Sequence, residues 1–128
     1  MPIQRINFTS IPVEDQERAI DFYTDHMGFD LQPGVDAKEG GQWIFLILPG
    51  HDTRLHFARA TEMSVSEGQP ILCLVSDNVD TDAARWAASG VEIAAGPADA
   101  PWADGVRFVL VKDSEGNLVL VESRKEAA

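Results

Sequence analysis

Basic residues are scarce in this chain. Ten Lys and Arg stand against twenty-one Asp and Glu over 128 residues, a formal net charge of −11. Nucleic acid is therefore excluded as an expected partner, because phosphate binding needs a positive face. An acidic surface keeps a protein in solution and favours the approach of cations. Cysteine is nearly absent as well. Cys73 stands alone, which excludes an internal disulfide and fits a reducing compartment. No apolar run approaches the ~20 residues of a membrane span, and no charged-then-apolar leader opens the chain. The expectation is a cytoplasmic protein with no membrane partner. A Gly-rich phosphate loop is missing, as is a nucleophile elbow followed by Asp and His.

What is present is a pattern that runs twice. Gln4 to Val13 reads as a strand. Asp15 then stands as an N-cap before Ala19, Phe22, Tyr23 and Met27 at helical spacing, and Gly28 closes the helix. A short strand over 29–32 and strands over 42–48 and 53–60 follow, and a polar stretch, 61–69, links to the second half. The order restarts with a strand over 71–76 and a helix from Asp77 to Ser89, closed by Gly90. A short strand over 91–94 leads to a loop holding Pro97, Pro101 and Trp102. A hairpin pairs 106–112 with 118–122 across the turn Asp113-Ser114-Glu115-Gly116-Asn117. Asp15 precedes Gly28 by thirteen residues, and Asp77 precedes Gly90 by thirteen. Val13, Phe29 and Leu31 recur as Val75, Val91 and Ile93, 62 positions on. The chain is thus expected to be one domain, 1–128, with an internal repeat of about 3–60 and 69–124. Each half reads βαβββ, an α+β design whose single helix covers one sheet face. The other face is left to line a cleft with its counterpart or with a second copy.

Three segments, IPVEDQERAIDFYTDHMGF (11–29), SDNVDTDAARWAASGVEI (76–93) and VKDSEGNLVLVE (111–122), carry a resemblance. In this order, on a duplicated layout, they resemble the vicinal oxygen chelate superfamily of glyoxalases, bleomycin-resistance proteins and extradiol dioxygenases. Ser114 and Glu115 stand where that family's turn has Pro and Asp. The resemblance implies two βαβββ modules forming a curved, mostly antiparallel eight-stranded sheet, an open barrel around a cleft. It also implies a homodimer, C2 being the commonest closed symmetry. Enzymes of the family hold a divalent metal with His, Glu or Gln side chains from four strands, two in each half. Counting from the helix caps and the Gly-Asn turn carries those positions to Phe8, His56, Ile71 and Leu120. Phe, Ile and Leu offer no donor atom, and a catalytic site needs about three protein ligands. A slip of one residue brings Asn7 or Thr9, Pro70 or Leu72, and Val119 or Val121, none of them better. What the resemblance implies here is the metal-free, ligand-binding side of the superfamily, with no cofactor.

The individual candidates follow from that frame. His56 shares a strand face with Arg54 and Ala58, and serves either as a polar anchor in the cleft or as a general base. Trp43, Phe45, Phe108 and Trp102 are candidate aromatic walls. Residues 42–48 are apolar on both faces, so alternation does not choose which face meets a ligand. Phe8, Ser10, Ile71 and Leu120 complete the expected ligand-binding set with Trp43, Arg54, His56 and Trp102. Cys73 reads as a small packed hydrophobe. Four functions compete. The first is a protein that binds a small, largely apolar or cationic molecule without a metal. The second is a divalent-metal-dependent lyase, isomerase or dioxygenase using His56 and Glu122. The third is metal-free acid–base catalysis by His56, and the fourth a subunit serving assembly alone.

Overall fold

The short polar side chain of Asp15 accepts a hydrogen bond from the Arg18 amide at 3.0 Å and so starts the first helix. Gly28 ends it in the left-handed region at φ 79°, which glycine adopts without steric cost. In the computed structural model this helix is α1 (Gln16–Met27), preceded by β1 (Phe8–Val13) and followed by β2 (Asp30–Leu31), β3 (Phe45–Ile47) and β4 (Arg54–Arg59). The second half repeats the order as β5 (Pro70–Val75), α2 (Val79–Ala88), β6 (Ile93–Asp99), β7 (Val106–Lys112) and β8 (Leu118–Arg124). The structure describes residues 3–4, 6–32, 44–59 and 68–124. Trp43 and most of the expected linker lie outside the described residues.

Among the described residues, eight strands and two helices make the expected α+β fold of two βαβββ modules. The strands form two four-stranded sheets, ordered β1-β4-β3-β2 and β5-β8-β7-β6. In each, the first strand pairs parallel with the last strand of its half, and the other pairs are antiparallel. A parallel pair needs a long crossover, and the helix lies within it. The chain divides into two compact units, 1–65 and 66–128.

In the first unit the sheet's core face is fixed by Tyr23 of α1, whose ring lies 6.0 Å from that of Phe57. Alternation then puts Ile11, Val13, Leu46 and Leu55 on the same face, all buried. In the second unit the marker is polar: the Val79 amide at the start of α2 donates to Ser123 Oγ at 3.2 Å. Val109, Val111, Val119 and Val121 share that face, buried beneath Val79, Ala83 and Trp86. Burial of this kind, at roughly 25 cal/mol per Å² of apolar surface, is what makes each sheet one-sided.

Three sequence expectations shift. The second helix is capped by Asn78, whose side chain accepts from the Thr81 amide at 3.1 Å; Asp77 lies one residue outside. Both are good capping residues, so composition alone does not separate them. The first strand opens at Phe8, four residues later than read, and Ile6 is exposed. The strand expected at 91–94 instead runs as β6 to Asp99, through Pro97. That is permitted because β6 is an edge strand with register shifts, where a missing N–H costs no ladder bond.

Candidate ligand-binding faces

The helix-opposite face of the first sheet is built by register. Phe8 and Ile47 both pair with Arg54, and Ser10 and Phe45 both pair with His56. This resolves strand β3: Leu46 lies fully buried on the core face with Leu55, and Phe45 and Ile47 turn the other way, half-buried. Three rings cluster there. The centroids of Phe8 and Phe45 lie 5.2 Å apart, and His56 lies 5.2 Å from Phe8 and 5.3 Å from Phe45. His56 is 9% exposed, and its Nδ1 shares a 2.9 Å hydrogen bond with Ser10 Oγ. That bond holds the imidazole's orientation, and either partner can carry the proton. Arg54 lies over the Phe45 ring at 4.2 Å and bonds two amide oxygens, Gln32 Oε1 at 3.0 Å and Asn7 Oδ1 at 2.7 Å. Asn7, Gln32, Ile47, Asp52 and Arg54 line a recess of about 440 Å³.

The equivalent face of the second sheet carries Cys73 opposite Leu120 and Val75 opposite Glu122. Leu110 and Phe108 continue it on β7. Val75 is 85% exposed. Trp102, in the β6–β7 loop and 53% exposed, packs against Phe108 with the ring centroids 5.0 Å apart and the planes tilted by 49°, and donates its indole N–H to Glu122 Oε1 at 2.9 Å. Indole face and carboxylate together make a surface suited to a cation. Burial raises the Cys73 thiol above its usual pKa, and the Glu122 carboxylate adds to the shift. Cys73 is exposed at its surface, so the packed hydrophobe expected from sequence is corrected: β5 is an edge strand and covers this side chain only in part.

The structure places the sequence-derived candidates as follows. Phe8, Ser10, Arg54 and His56 come together on one face of one unit. Leu120 and Glu122 share a face of the other, with Trp102 bonded at its edge. Ile71 sits at the register shift in β5, beside the regular ladder, and the cross-strand neighbour of Leu120 is Cys73. Sequence reasoning missed Asn7 and Gln32, which clamp Arg54 from two different segments. Neither carries a local signal, because each matters only through a contact that folding creates.

Taken together, the architecture defines a class: a duplicated βαβββ protein, each unit with a helix on one sheet face and an aromatic, partly open face on the other. The chain belongs to the Glyoxalase/Bleomycin resistance protein/Dioxygenase superfamily, whose family model matches residues 5–121. It is similar to TnmS3, an antibiotic binding protein from Streptomyces sp. CB03234, at 34% identity and a TM-score of 0.78, covering 98% of this chain and 99% of that one. A glyoxalase/bleomycin resistance protein from the same Streptomyces strain is 35% identical with a TM-score of 0.68, covering 91% and 98%. The uncharacterized protein YetH of Bacillus subtilis (strain 168) is 26% identical over 121 residues, 94% of this chain and 98% of YetH.

The superfamily includes metal-dependent enzymes, so the donor set bears on what this member can do. At the four positions where the resemblance puts ligands, only His56 has a donor atom; Phe8, Ile71 and Leu120 have none. Among the described residues no three His, Cys, Asp or Glu side chains come together to hold an ion. These positions do not fit a catalytic divalent metal. No helix among the described residues is long and apolar enough to cross a membrane.

Proposed function

We propose that the chain binds a small, largely apolar or cationic molecule on its helix-opposite sheet faces, without a catalytic metal, as a cytoplasmic homodimer. One observation carries this reading: Phe8, Ile71 and Leu120, without donor atoms, stand at three of the four strand positions to which the resemblance carries the superfamily's metal ligands. The ring cluster of Phe8, Phe45 and His56 offers flat surfaces for an aromatic ligand. Trp102 and Glu122 offer a cation a stacking face and a countercharge. The likeness to TnmS3, described as an antibiotic binding protein, supports sequestration of an antibiotic as the biological role.

Intrinsic tryptophan fluorescence and calorimetry with bleomycin and a panel of aromatic antibiotics test the proposal. The expected result is saturable binding of at least one compound, unchanged by EDTA and weakened by Phe45→Ala or Trp102→Ala. The reading is overturned if the protein carries one divalent ion per chain and turns over a substrate only with that ion. Sedimentation is expected to give twice the 14.0 kDa chain mass. A second reading, metal-free acid–base catalysis, rests on the hydrogen bond that orients His56. It requires a turnover that His56→Ala abolishes while the fold and ligand affinity survive.

A further inference from the structure

The acidic chain carries one positive group that is unusually well fixed for its surroundings. Arg54 is half-buried at the start of β4, on the helix-opposite face of the first sheet. Its guanidinium is oriented from three directions: Gln32 Oε1 on Nη1, Asn7 Oδ1 on Nη2, and the Phe45 ring beneath at 4.2 Å. The two oxygens are neutral acceptors. Among the described residues no carboxylate lies within ion-pair distance of Arg54, whereas Arg85 pairs with Asp82 and Arg107 with both Asp80 and Asp99. Two of the five guanidinium N–H donors are used by the amides, and one on each Nη and that on Nε remain. Because both amides turn their oxygens to Arg54, their NH₂ groups are donors for something else. Such a cluster is rich in donors and carries a net positive charge. It opens on a recess of about 440 Å³, within the range of small-molecule sites. Ile47 supplies an apolar wall beside it.

We infer that this recess takes the carboxylate of a small acid with an apolar body. A carboxylate matches two parallel N–H donors, which a single-point anion does not. The Phe45 ring and the amide clamp hold the guanidinium before the ligand arrives, so little side-chain entropy is lost on binding. Asp52 also lines the recess, and its charge opposes an anion; it sets an upper limit on affinity and makes the charge balance adjustable. The long-range field of a −11 chain draws cations, but at contact distance the Arg54 guanidinium, offset in part by Asp52, acts on the ligand directly. The inference rests on the ligand-binding reading above and narrows it to the acidic members of the apolar class.

Sodium 2-naphthoate, 2-naphthamide and 2-naphthylmethylammonium, three probes of one shape and different charge, test it. Each is titrated into the full chain by calorimetry and by ¹H–¹⁵N spectra that include the Arg Nε and Asn/Gln side-chain amides. Naphthoate is expected to bind about tenfold or more tighter than the amide, the difference one charge-assisted pair supplies. It should shift the Arg54 Nε, Gln32 and Asn7 side-chain signals. Arg54→Gln should erase that preference with the backbone spectrum otherwise retained. Asp52→Asn should strengthen naphthoate binding severalfold. Equal affinity for the three probes, preference for the ammonium, or a preference that survives Arg54→Gln overturns the inference. So does the absence of any shift at Arg54. Antibiotic binding that persists unchanged in Arg54→Gln leaves the ligand-binding reading intact and sinks only the carboxylate site.

Discussion

Removing the side chain of Asp113 should cost more stability than removing almost any other polar group in the second unit. Asp113 and Asn117 are 6% and 7% exposed and close the turn between β7 and β8. Asp113 Oδ1 accepts from the Glu115 amide and from the Asn117 amide, each at 2.8 Å, and Oδ2 accepts from Asn117 Nδ2 at 3.1 Å. A hydrogen bond to a charged group contributes about 1.5–3 kcal/mol net when buried and less when water competes. The two buried Asn117 bonds count near the lower end of that range, and the Glu115 bond, only part-buried, adds a fraction. Asp113→Ala is therefore expected to cost about 3 kcal/mol. Asp113→Asn, which keeps an acceptor at Oδ1 and loses the charge, should cost about 1 kcal/mol. Urea unfolding reads the difference as a shift in midpoint at constant slope. Amide exchange reads it locally, with faster exchange at Glu115, Asn117, Val119 and Val121. An Asp113→Ala variant within about 0.5 kcal/mol of the parent would refute the reasoning, as would an Asn variant equal to the Ala one.

Gly96→Ala should destabilise by ~2 kcal/mol or more, since φ is +82° and a Cβ would stand 2.6 Å from the Phe108 carbonyl oxygen. Gly105→Ala, at φ +77° with nothing within 4 Å, should cost only about 1 kcal/mol; thermal unfolding of the pair separates strain from clash. Cys73 should react with a disulfide reagent at pH 8 more slowly than free cysteine, because burial and then Glu122 raise its pKa and deplete the thiolate. The rate should climb as pH rises through the raised value, and Glu122→Gln should move that climb to lower pH; equal rates at pH 8 for the protein and free cysteine would contradict it. Treatment with EDTA should leave the melting temperature unchanged within 1–2 °C, an approximate limit set by the donor-poor strand positions; a larger drop means an ion that stabilises the fold.

The helices were legible because their signals are local. Asp15 and Gly28 act within a few residues of where they stand, and the stripe of Ala19, Phe22 and Tyr23 marks the buried side directly. The repeat was legible for the same reason, since caps and turns recur at a near-constant offset. Strand limits were harder. β6 passes through Pro97 because it is an edge, and edge position is a property of strand order. The two faces of β3 could not be told apart, since both are apolar; Tyr23 against Phe57 settled it from another segment.

By itself, then, the sequence determined a duplicated α+β layout, its turns, and residues without donor atoms at Phe8, Ile71 and Leu120, where the resemblance puts metal ligands. Each of these depends on residue identity at a position countable along the chain. Only the tertiary structure decided which side chains meet: His56 with Ser10, Glu122 with Trp102, and Arg54 with Asn7, Gln32 and Phe45. Those partners lie as many as 47 residues apart. Bringing them together is the work of strand register and helix crossover, and register is set by the buried face as a whole.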